Sequence, residues 1–145
     1  MSPLSVLLQV VSAFLGVVSL AVLFHVPRKY LLPAGLTGAG GWLIELLVMN
    51  QTENAMMSAF LSAVFVAVIS QLLARIFKAP VTVYLVPGIL PLVPGVGMYR
   101  MVYYLLQENR ESASYYFSYT LQVAGMIALA VFVVDSFFRV LYRRR

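Results

Sequence analysis

The chain has 145 residues, of which 62% are hydrophobic and 10% charged, with a formal net charge of +5. A soluble domain is about half apolar and about a quarter charged, so this is the composition of an integral membrane protein. There is no cysteine and His25 is the one histidine, which excludes disulfides and thiolate chemistry and argues against a metal site within the chain.

Leu4 to Phe24 carries no charge. It is long enough to span, since about 20 residues cover a hydrocarbon core of about 30 Å. No Lys or Arg precedes it, and His25-Val26-Pro27-Arg28-Lys29 follows in place of a small-residue cleavage site. It therefore reads as a retained first helix rather than a signal peptide. Tyr30 to Met49 reads as the second span. Its small-residue pairs Ala34/Gly38, Gly35/Ala39 and Thr37/Gly41 are four apart and admit a close neighbouring helix. Residues 50–54 form a polar loop, and Ala55 to Phe77 is the third span, closed by Arg75, Lys78 and Pro80.

Val81 to Gln107 is apolar but interrupted by Pro87, Gly88, Pro91, Pro94, Gly95 and Gly97. Each proline removes a backbone donor and clashes with the preceding turn. In hydrocarbon a freed N–H or C=O is tolerated only where protein or a cavity satisfies it. The segment is thus expected to line a cavity, with a half-helix starting near Gly95 to Met98. The N-terminus of such a half-helix carries partial positive charge, and discontinuous helices of this kind hold substrate carboxylates in transporters. After a polar loop at 107–112, Tyr115 to Val134 reads as the last span.

Basic residues set the orientation. The segments 25–29 and 75–80 hold two each and 50–54 none. Residues 107–112 hold one basic residue against two acids, and the C-terminus holds Arg139, Arg143, Arg144 and Arg145. This alternation predicts an all-α membrane protein of five transmembrane helices, the fourth broken, with the N-terminus outside and the C-terminus cytoplasmic. The expected spans, about 4–24, 30–49, 55–77, 81–107 and 115–134, form one membrane domain over residues 1–145. Tyr103, Tyr104, Tyr115, Tyr116, Tyr119 and Tyr142 are expected as interfacial anchors. The same placement of charge argues for a lipid bilayer and against a nucleic-acid partner.

Two ionisable residues lie a turn or more inside the outer ends of spans. Glu45 is placed about one turn inside the outer end of the second helix, and Arg100 about two turns inside the outer end of the fourth. They either pair structurally, snorkel outward, or face a pathway, Arg100 toward an anion and Glu45 toward a proton or cation. Asp135 and Arg139, four apart, are expected to pair on one helix face. Arg75 and Lys78 read as inner-face anchors and His25 as an interfacial residue. No nucleophile–histidine–acid set and no phosphate-binding loop is present, so nothing points to an enzyme.

Three stretches now carry a resemblance: Phe24-His25-Val26-Pro27-Arg28, Lys78-Ala79-Pro80-Val81-Thr82-Val83, and Val86 through Gly95 followed by Met98-Tyr99. Together they resemble the threonine/serine exporter family, in particular its small membrane subunit, equivalent to the C-terminal half of the fused exporters. The proline–glycine block with its fixed distance to Tyr99 is the specific part. The resemblance implies a bacterial inner-membrane location, no cofactor, and a larger partner subunit with a soluble N-terminal domain and about five spans. It also implies a small carboxylate-bearing substrate: threonine, serine or a dicarboxylate such as succinate. The reading is a subunit of a secondary exporter. A non-transporting subunit that stabilises a larger transporter is the alternative, a passive channel is weaker, and a homo-oligomer also remains open.

Overall fold

The computed structural model describes residues 3–143; Met1, Ser2, Arg144, Arg145 and the Arg143 side chain lie outside the described residues. Six α-helices follow in order: α1 Pro3–Leu23, α2 Arg28–Thr52, α3 Ala55–Ile76, α4 Thr82–Ile89, α5 Gly95–Leu106 and α6 Arg110–Arg143. A 3-10 turn, Leu90–Leu92, joins α4 to the extended residue Val93. α1, α2, α3 and α6 are each long and apolar enough to cross a membrane, and α4 with α5 makes a fifth crossing if the bent pair is one span. The chain is an all-helical, multi-pass membrane protein.

The helix ends depart from those expected. α2 continues to Thr52 because Asn50, Gln51 and Thr52, although polar, contain no breaker. Glu45 therefore sits about two turns inside that end. α6 has 34 residues rather than the 20 of 115–134, extended by polar and aromatic turns at both ends.

Short turns hold the helices antiparallel. His25, Lys78 and Glu108 each adopt a left-handed conformation, with φ of 57°, 50° and 58°. The next N–H then reaches back five residues: Val26 to Ala21, Ala79 to Ala74 and Asn109 to Tyr104, at 2.9, 2.9 and 3.0 Å. This is the Schellman closure, which satisfies carbonyls left open at a helix end. Between α2 and α3, Glu53 takes the left-handed position and Asn54 caps the next helix, its Oδ1 accepting from Met56 and Met57 N–H at 3.0 and 3.2 Å.

α2 is the central helix, packed against α1, α3 and α4. Its small residues make this possible. A Cβ on Gly38 would lie 2.4 Å from Val17 Cγ2 of α1, and one on Gly41 2.4 Å from Val66 Cγ2 of α3. A Cβ on Gly88 of α4 would lie 3.3 Å from Thr37 Cγ2 and 3.7 Å from the Gly38 nitrogen of α2. α6 lies on the far side of α3, and α5 packs on α6. Large apolar residues such as Leu7, Leu15, Leu121, Leu129 and Phe132 point outward, as a lipid-facing surface requires.

Candidate functional site in the cavity beside the broken helix

The break changes the neighbours of the chain. α4 packs among α1, α2 and α3, whereas α5 packs on α6. The two arms are bent by 49°. Pro87 lies within α4, Pro91 in the 3-10 turn and Pro94 at the N-cap of α5. Val93, before Pro94, is extended at φ −61° and ψ 130°, the conformation that a following proline favours.

Moving from one set of helices to the other leaves a gap on each side. The first is a cavity of about 370 Å³ lined by α2, α3, α5, α6 and the break itself. Pro91, Pro94, Gly95, Gly97, Arg100 and Glu45 all reach it. The second, about 570 Å³, lies between α3, α4 and α6 and holds Gln71 and Asp135. Leu92 of the break is packed between them with Val66 of α3 and Val123 and Ile127 of α6, all buried. Leu92 and Val123 also line the first cavity, and Leu85, which packs on this cluster, lines the second. Both volumes fall in the range of small-molecule sites.

The first cavity has charge of both signs. α5 begins at Gly95, as the half-helix expectation had it, with no side chain capping its start. Met98 N–H bonds the Pro94 carbonyl at 3.1 Å, but the N–H groups of Val96 and Gly97 fall in the first turn, which has no intrahelical acceptor. Arg100 stands one turn further on. It donates to the Tyr116 hydroxyl at 3.0 Å, and its guanidinium carbon lies 5.4 Å from the centre of that ring. Tyr116 is held in turn by stacking on Tyr104 at 5.6 Å.

Glu45 faces the same cavity from α2. Ser58 donates to its Oε1 at 2.9 Å and Ser62 to its Oε2 at 2.5 Å. Both serines are fully buried on α3. Glu45 and Arg100 share the cavity without forming an ion pair. Among the described residues the ion pair is Arg139–Asp135 at 2.7 Å, as their spacing predicts.

Not every candidate reaches the cavity. Pro87 and Gly88 are buried in α4, the latter against Val66 and Thr37. Tyr99 is exposed and stacks on Tyr103, so it faces away. Sequence reasoning missed Ser58 and Ser62, although their four-residue spacing puts them on one helix face. Tyr115, Tyr116 and Tyr119, expected as anchors, line the cavity. At the opposite end Arg75 lies over the rings of Phe138 and Tyr142 at 4.6 and 4.1 Å and bonds Gln71. Gln71 donates to Asp135 at 3.1 Å.

A multi-pass helical protein with a broken hydrophobic segment beside a charged cavity has the construction of a membrane transporter. A family model described as threonine/serine exporter, ThrE, matches residues 9–137, and the chain belongs to that family. Its function is of the amino-acid export type. No curated protein and no solved structure matches the chain.

Proposed function

We propose that this chain forms the substrate-binding part of a secondary exporter of threonine, serine and similar zwitterionic amino acids. One observation carries the reading: Arg100, the start of α5 and Glu45 line the same cavity without neutralising one another. The substrate carboxylate fits against Arg100 and the open N–H groups of α5, where charge and helix dipole both favour an anion. The ammonium fits against Glu45. A dicarboxylate such as succinate would set its second carboxylate against Glu45, so the cavity favours an amino acid.

The proposed topology is five spans with the N-terminus outside. A bend of 49° keeps α4 and α5 running in the same general direction, which supports one broken span over a re-entrant hairpin. The cavity is open on one side and Arg100 is exposed. This favours a larger partner subunit that closes it, and an odd span count fits an inverted five-plus-five arrangement.

The test is efflux of labelled threonine, serine and succinate from cells expressing this chain, with and without the product of the adjacent gene. Arg100→Ala is expected to lower threonine efflux at least about tenfold, the worth of a hydrogen bond to a charged group, with the protein still in the membrane. Native-level efflux from that variant would remove Arg100 from the pathway.

A further inference from the structure

Glu45 is an acid within a membrane helix, and among the described residues no cation forms an ion pair with it. Arg100, the cation on the same cavity, is engaged by Tyr116. The other ionisable groups lining that cavity are the phenols Tyr115, Tyr116 and Tyr119 of α6. α3 presents the two serine hydroxyls, and α1 contains no ionisable residue. Glu53, two turns along α2, belongs to a separate surface pocket with Leu46, Met49 and Asn50. A carboxylate so placed calls for a mobile positive charge.

The hydrogen bonds around Glu45 suit two states. Each serine hydroxyl has one hydrogen, and each has a helix carbonyl as well as Glu45 in reach. Ser58 reaches Glu45 Oε1 at 2.9 Å and the Ala55 carbonyl at 3.1 Å. Ser62 reaches Glu45 Oε2 and the Ser58 carbonyl. With Glu45 ionised, both hydroxyls turn to the carboxylate. With Glu45 protonated, its own O–H donates to one serine oxygen, and that serine turns its hydrogen to the helix carbonyl. Neither state leaves a buried hydroxyl without an acceptor, so the usual penalty for stranding a buried polar group is absent from both.

We propose that Glu45, Ser58 and Ser62 form one exchangeable-cation site, occupied by either a proton or the ammonium of the substrate. The proposal rests on the reading of the cavity as an amino-acid site. The step is a proton transfer and nothing more. A proton from cavity water binds a Glu45 oxygen when the ammonium leaves, and returns to water when the next ammonium arrives. Because both cations use the same carboxylate, they exclude each other, and the carrier exchanges one for the other in opposite directions.

The experiment is labelling by dicyclohexylcarbodiimide, which attacks protonated carboxyls in apolar surroundings. It is run in membranes of cells expressing this chain with its genomic neighbour, and the label is located by mass spectrometry. Expected is a label on the Glu45 peptide that declines as pH rises and is suppressed by millimolar threonine but not by succinate. Glu45→Gln should remove it, and Ser58→Ala with Ser62→Ala should raise labelling, since the carboxylate form loses its donors. A Glu45 peptide unlabelled at every pH, with Arg100-dependent efflux intact, overturns the exchange site and leaves the amino-acid cavity standing. Labelling that follows pH but ignores threonine overturns both. Suppression by sodium chloride as strong as that by threonine overturns the proton–ammonium pairing in favour of a metal cation.

Discussion

Glycines that look alike in the sequence differ in what a methyl group would meet. A Cβ on Gly41 would fall 2.4 Å from Val66 Cγ2, and Val66 is a fully buried, β-branched residue with little rotamer freedom. Gly125, within α6, has open space within 4 Å. Gly41→Ala is therefore expected to destabilise by about 1–3 kcal/mol, the usual cost of overpacking. Gly125→Ala should be neutral or stabilising by up to about 1 kcal/mol, since alanine is the better helix former. The midpoint of thermal or SDS unfolding of the two variants checks this, and equal midpoints would contradict the packing of α2 on α3.

At the scale of elements, the bend belongs to Pro94 and the extended residue before it. Pro94→Ala restores a backbone N–H and frees Val93 from its extended bias. α5 is then expected to grow back into the 3-10 turn and straighten the pair. Closing the 49° bend while the 3-10 turn and Val93 become helical is expected to change both the separation and the relative orientation of the outer ends of the two arms. The chain has no cysteine, so spin labels at positions 82 and 106 can measure the separation directly; Pro87→Ala, inside α4, should leave it unchanged. The break itself was legible because a proline deletes a donor in any fold. What the break does to its surroundings was not, since the exchange of α2 and α3 for α6 as neighbours is a tertiary event. Glu45 was legible as an acid in an apolar run. Its serines were not, because the register of α2 on α3 brings residues 13 and 17 positions apart together. The ends of α2 and α6 escaped notice because polarity alone does not stop a helix.

For the whole molecule, the proposed orientation, from the positive-inside pattern, is tested by fusions on each side. A fluorescent protein fused after Arg145 is expected to fluoresce, and alkaline phosphatase fused at Asn109 to be active. A dark C-terminal fusion would overturn this orientation. α6, at about 1.5 Å per residue, is about 50 Å long, well beyond the hydrocarbon thickness of about 30 Å. It must tilt or project beyond the lipid, and its ends carry the Tyr104–Tyr116 stack and the Arg75 contacts. The layer of Leu92, Val66, Val123 and Ile127 between the two cavities has a further meaning in electrical terms. If the proposed pathway joins the two cavities, water in both would leave that layer as the insulator, and the membrane voltage would drop across a few side chains instead of the full bilayer. An elementary charge carried past Leu92 then gains or loses about 2.3 kcal/mol per 100 mV in one short step. On that path the voltage would act on the crossing of Leu92, rather than on the approach to it from either side.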